Sequence, residues 1–259
     1  MSGTKAIGQI FGLTVALFVA FWQPQLAMGI TTNFQLVPND IHVSESFRGA
    51  PITISGKIPK GANALVEITG PTQDIHLLRK GRRGGLWMSV GEVEVSGAPS
   101  LYLMASTGPN MPTGSDNKGE WGYAALEKQV SFTGAVLEDK KSALFSHFTK
   151  LKESQGLYGM FPGALHVMPA ANGSSKLQGQ LRLPSNVAPG TYKVTFSVFN
   201  SGKLLQQQSI PLLVDMKGIA AFLAILATNH GVLYGLLAVG IALVIGFGMG
   251  FVFKGKSAH

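Results

Sequence analysis

Cysteine is absent from the 259 residues. That excludes disulfides, thiolate metal sites and cysteine nucleophiles, so stability has to come from burial of apolar surface. Charge is scarce as well, with only 13 acids against 21 bases. The formal net charge is +8, but Lys5, Lys254 and Lys256 stand at the ends, and residues 30–217 carry 18 Lys/Arg and 13 Asp/Glu, a net +5. So mild a balance lacks the concentrated basic stripe that nucleic-acid binding needs. Catalytic signatures are missing too. The six histidines (His42, His76, His147, His166, His230, His259) show no H-x-x-x-H or H-E-x-x-H spacing, and no G-x-S-x-G, P-loop or dinucleotide glycine pattern occurs. Triads are assembled in space, so this does not exclude catalysis, but no residue is singled out as catalytic and no cofactor is expected. The chain reads as a non-enzyme.

What the chain does have is a 23-residue uncharged run, Gly231 to Phe253, that ends on Lys254-Gly255-Lys256. As a helix it would extend roughly 33 Å at about 1.5 Å per residue, enough for a bilayer core of about 30 Å. It is expected to be a transmembrane anchor. At the other end, residues 1–29 read as a signal peptide: Lys5 supplies a positive start, Ile10 to Trp22 an apolar stretch, and Pro24 a break before Ala27 and Gly29. An uncleaved signal anchor is the alternative. Both readings place residues 30–230 outside the cytoplasm, with 254–259 as a cytoplasmic tail, in keeping with the flanking lysines.

Between these ends, short alternating runs predict a mainly β protein. Residues 30–108 are expected to form an N-terminal β domain. In it Ile52, Ile54 and Ile58, then Ala64, Val66 and Ile68, face inward, while Leu65, Glu67 and Thr69 face water. Ile75 to Arg79 and Leu86 to Val90 read as a hairpin across Lys80–Gly85. The turn-rich Gly108 to Gly119 separates the halves. Residues 109–160 form a loop and helical insertion. Its amphipathic helix has Leu144, Phe145, Phe148 and Leu151 on the apolar side, Lys150, Lys152 and Glu153 on the wet side, Ser142 as cap and Gly156 as stop. Residues 161–215 form a C-terminal β unit, in which Asn200-Ser201-Gly202 turns one strand back on the next. Tyr192, after Pro189-Gly190, is either the tyrosine corner of an immunoglobulin-like sandwich or a plain core-edge residue. Residues 217–230 suggest a helix at the membrane surface. The fold class is thus one or two immunoglobulin-like β-sandwich units with an inserted amphipathic helix and one C-terminal transmembrane helix.

Three constellations carry functional weight. Arg79, Lys80, Arg82 and Arg83 are the densest charge in the chain, either a finger for anionic lipid or an acidic partner, or a solvated tip whose charges keep an edge from pairing. Trp87 beside them is expected in the core, with an interfacial role as the alternative. His166 and Met168, two apart on a strand, share a face and make a candidate soft-metal pair, with Met160 near in sequence; a half-buried strand end is the bland reading. Ala238, Ala242, Gly246 and Gly250 form a stripe of small residues on the anchor, suited to a second helix from another copy or a permease span.

The order of several stretches is distinctive: Leu78–Trp87, Ala98–Ser106, Leu151–Tyr158, Leu183-Pro184 to Tyr192, and the His230–Tyr234 entry of the anchor. In this order they resemble a bacterial, chiefly alphaproteobacterial, family of transmembrane proteins of unassigned function, the Alph_Pro_TM type. The resemblance implies exported topology with one C-terminal span and an association with sulfite-exporter-type permeases; it carries over no catalytic residue. The leading expectation is a membrane-anchored extracytoplasmic binding or accessory domain serving a membrane partner. The alternative is a periplasmic soft-metal or small-anion binding protein serving a permease.

Overall fold

The computed structural model describes residues 33–109, 121–134, 141–170 and 173–254. The expected signal peptide, most of the Gly108–Gly119 loop and the tail after Lys254 lie outside the described residues. In chain order the elements are β1 (Phe34–Val37), β2 (Asp40–Val43), β3 (Ala50–Pro59), β4 (Asn63–Thr69), β5 (Thr72–Arg83), β6 (Leu86–Pro99) and β7 (Tyr102–Ser106). Then follow α1 (Tyr123–Gln129), β8 (Ser131–Gly134), α2 (Lys141–Ser154), β9 (Tyr158–Phe161), β10 (Leu165–Pro169), β11 (Ser174–Leu183), β12 (Gly190–Asn200), β13 (Lys203–Met216), α3 (Ile219–Asn229) and α4 (Gly231–Lys254).

One sheet has the order β1-β3-β11-β10 and a second β2-β13-β12-β4-β7-β9. Strands from both sides of the helical insertion therefore share sheets: β3 pairs with β11 from Ala50↔Leu183 to Pro59↔Ser174, and β4 pairs with β12. The two stretches separated in sequence are joined in space around one core. The sheets pack face to face through Ile52, Ile54, Leu177 and Leu181 on one side and Val66, Ile68, Val194 and Phe196 on the other, all buried. Phe34 of the first sheet stacks on Phe196 of the second at 4.7 Å. Such interdigitation of alternating inward residues is the sandwich solution to burying two half-apolar sheets. Tyr192 is a tyrosine corner: its ring is buried, and its hydroxyl donates to Ala188 O at 2.6 Å. Gly70 is required beside it, because a Cβ there would stand 2.2 Å from Ser100 Oγ and 2.8 Å from the Tyr192 ring.

The second sheet is covered on its other face as well. Leu65, Tyr102, Met104 and Phe199 meet Val93, Val95, Leu126, Phe145 and Phe148 in a second core. Leu65, expected to face water, is therefore buried: alternation marks a solvent face only when no further layer lies over it. The third layer is a smaller sheet, β5-β6-β8, together with α1 and α2. Lys141 is already helical, so Ser142 lies inside helix α2 rather than at its cap. It ends as expected at Gly156, whose φ is 71°, with Gly156 N–H bonded to Glu153 O and Leu157 N–H to Lys152 O. Lys152 departs from the wet face: it is buried, with Nζ 5.7 Å from the Phe148 ring centre. Its long stem covers apolar surface where α2 meets the sheet, and burial lowers its pKa.

Candidate functional site

The β5–β6 hairpin is longer than the alternation suggested, running from Thr72↔Pro99 to Arg83↔Leu86. Its turn is Gly84-Gly85, with φ of 57° and 85°, a pair of left-handed residues that matches the twist of two-stranded ribbons. The lower half is held by Val93, Val95 and Ala98 in the second core and by β8, which pairs with β6 from Val93↔Gly134 to Ser96↔Ser131. Beyond Val93 no third strand pairs with the ribbon among the described residues. The basic cluster lies on this two-stranded part, on strand β5 itself rather than in a loop. Lys80, Arg82 and Arg83 pair across with Ser89, Trp87 and Leu86, and Lys80 Nζ donates to Ser89 Oγ at 3.3 Å. Arg79 sits at a register shift one residue earlier.

Trp87 does not enter the core. It is 73% exposed, Leu86 is 68% exposed and Leu78 62%, with Met88 also open to solvent. The reason is geometric: Trp87 is one pair from the turn, past the last residue that any other layer covers. Leu78 also borders a groove of about 270 Å³ between the ribbon and α2, lined by Leu77, Phe132, Leu144, His147 and Leu151 among others. Both are solvent-facing apolar features, of the kind that marks interaction surfaces when contiguous.

A buried polar cluster was not anticipated. The Tyr102 hydroxyl donates to Glu67 Oε1 at 2.5 Å and accepts the Gly122 N–H at 2.9 Å. Tyr123 donates to Glu153 Oε1 at 2.6 Å, and Tyr158 to Pro99 O at 2.8 Å. The three rings lie within 6.4 Å of one another. Burial raises the Glu67 pKa, with Tyr102, Gly122 and Lys193 pulling it back; burial raises those of Tyr102, Tyr123 and Tyr158 too. Every one of these side-chain hydroxyls is partnered, as a structural network requires. The one available signal was Leu65: an apolar residue on the supposedly wet face of β4, two before Glu67.

The remaining candidates are placed as follows. His166 and Met168 are exposed on β10, an edge strand, opposite Gln178 and Lys176. Met160 lies in the other sheet on β9, and no group of three His, Cys, Asp or Glu among the described residues is arranged to hold a metal. A lysine facing Met168 works against a cation there. Ala238, Ala242, Gly246 and Gly250 are exposed along α4, and nothing lies within 4 Å of a Cβ built at Gly246 or Gly250. Helix α3 is apolar and exposed at Ile219, Phe222 and Ile225. It is set off from α4 at His230, whose φ of −139° and ψ of 56° break the helix. The sandwich hands over to these helices at Lys217: its N–H bonds to Val43 O at 2.8 Å and its Nζ lies 2.9 Å from His42 Nε2.

Within α4, Gly231–Phe251 is long and apolar enough to cross a membrane, with a mean hydropathy of 2.3 and no residue buried against the rest of the protein. A protein-family model described as "Putative transmembrane protein (Alph_Pro_TM)" matches residues 32–255. The chain belongs to this family. No curated protein matches it. The Alph_Pro_TM match takes in the sandwich, the ribbon, the helical layer and α4 together.

Proposed function

We propose that this chain is a membrane-anchored extracytoplasmic binding and accessory domain, non-enzymatic, that engages a membrane partner through the tip of the β5–β6 ribbon. The observation that carries the reading is the tip itself. Trp87 and Leu86 are held in water beside Lys80, Arg82 and Arg83, on the outer part of the ribbon, where no third strand pairs with it among the described residues. Leaving large apolar side chains exposed forgoes about 1.5–3 kcal/mol each, which is a cost without return unless something covers them. The unburied Gly231–Phe251 stretch of α4 supports membrane residence, and the lysines after Phe253 support a cytoplasmic C-terminus with residues 30–230 outside. A sulfite-exporter-type permease is the partner that the family resemblance suggests, and the small-residue face of α4 is a second surface for it or for another copy.

The test is purification of the full chain from native membranes with its anchor intact. It would compare the parent with a variant carrying Gln at Arg79, Lys80, Arg82 and Arg83. Recovery of a membrane protein with the parent should fall in the variant, and fall most at low salt, because exposed charges are screened over about 8 Å at physiological ionic strength. Equal recovery from both would rule out a membrane protein held by the tip.

A further inference from the structure

The geometry points to anionic lipid headgroups as what the ribbon tip binds, an assignment that rests on the reading of the tip as a binding surface. Between Ile75 and Gly91 the chain holds four bases and no acid. In an antiparallel ribbon, directly paired residues share a face and successive pairs alternate. Arg82 with Trp87 therefore occupies one face, and Arg83 with Leu86 the other, where Gly81 and Met88 also fall. Each face of the tip thus carries a guanidinium and an apolar side chain.

A folded protein partner that packs flat against a ribbon covers one face and leaves the other in water. A headgroup layer surrounds an inserted tip, so an amphipathic pattern repeated on both faces matches a fluid interface. The residue types match it as well. Trp settles at the level of the headgroups, Leu and Met reach the acyl boundary, and Arg and Lys extend back to phosphate. The Gly84-Gly85 turn keeps the leading edge narrow, with nothing within 4 Å of a Cβ built at either position. Each basic residue near an anionic surface contributes about a fivefold gain in binding, so the four together are worth roughly two to three orders of magnitude.

The test holds the full chain in nanodiscs of neutral phosphatidylcholine and adds separate vesicles with brominated acyl chains, either phosphatidylcholine alone or mixed with phosphatidylglycerol. Trp87 emission is isolated by subtracting a Trp87→Phe variant. Vesicles containing phosphatidylglycerol should carry the nanodiscs down on sedimentation and quench Trp87; neutral vesicles should do neither, and raised salt should reverse both. Changing Arg79, Lys80, Arg82 and Arg83 to Gln should weaken the interaction about a hundredfold or more while leaving thermal unfolding in place. Trp87→Ser should weaken it with the charges intact. Sedimentation that ignores lipid charge, or Trp87 unquenched by the anionic vesicles, overturns the lipid assignment. If those results come with tip-dependent recovery of a membrane protein, the broader reading stands and the occupant is that protein; if recovery too is indifferent to the tip, both fall.

Discussion

Replacing Tyr102 by Phe removes one oxygen that two partners share, the Glu67 carboxylate at 2.5 Å and the Gly122 N–H at 2.9 Å. A hydrogen bond to a charged group contributes about 1.5–3 kcal/mol, and an orphaned buried N–H costs about 1–3 kcal/mol. Tyr102→Phe should therefore destabilise the domain by about 3–5 kcal/mol at neutral pH. The pH dependence is more specific. Burial holds the folded Glu67 pKa above its ordinary 4.5. An acid raised in this way stabilises the fold fully below its unfolded pKa, and that contribution is lost as pH rises through the folded value. The parent should lose stability upward from about pH 4.5 until the raised pKa is passed. Tyr102→Phe, which removes a contact that lowers this pKa, should carry the loss to higher pH. Glu67→Gln removes the titrating group, so stability should become flat across the same window. In that background Tyr102→Phe should cost less, about 1.5–4 kcal/mol, because the lost side-chain bond is then neutral while the Gly122 N–H is still orphaned. The assay is urea unfolding of the full chain in detergent micelles, followed by the emission of Trp121, which packs edge-on against Phe199 beside this cluster. A cost below about 0.5 kcal/mol, or the same cost in both backgrounds at every pH, refutes the reasoning.

Other outcomes follow from other parts of the fold. Tyr192→Phe frees Ala188 O and should cost about 1–2 kcal/mol by the same unfolding measurement. Gly56→Ala puts a Cβ 2.5 Å from the Phe34 ring, so it should cost about 1–3 kcal/mol as overpacking, and Phe34→Leu in that background should recover part of the loss. A reporter active only in the cytoplasm should work when fused after His259 and fail when inserted at Gly173; the reverse pattern would end the topology proposed here. Gly246→Ile adds bulk to the small-residue face of α4 and should lower helix association in a membrane two-hybrid reporter, while Val244→Ile leaves it alone.

The sandwich was legible because its inward residues obey a period of two. Ile52, Ile54 and Ile58 on β3 and Val194, Phe196 and Val198 on β12 are all buried, as one core face demands. The span was legible for a plainer reason: an uncharged run of bilayer length has few other uses. The third layer was not legible. Local alternation around Glu67 is the same whether the second face meets water or another sheet, and only the long-range placement of the ribbon base decides between them. Trp87 failed in the opposite direction. Its size argues for a core, but a residue's depth depends on how far a hairpin outruns its neighbours, and no window of sequence contains that distance. Lys152 shows the limit of a helical wheel: it is buried with its ammonium over the Phe148 ring, while its position alone marks it as solvent-facing.

The most direct test of the tip as the membrane-facing surface is photo-crosslinking in living cells with a photoreactive residue at position 87 of the full chain. The same residue at Gln180, exposed on the outer face of the first sheet, serves as the control. Position 87 should yield adducts with lipid or with a membrane protein, diminished when Arg79, Lys80, Arg82 and Arg83 are Gln, and position 180 should yield none of these. Adducts from position 180 with none from position 87 would contradict the account and move the working surface to the opposite side of the sandwich.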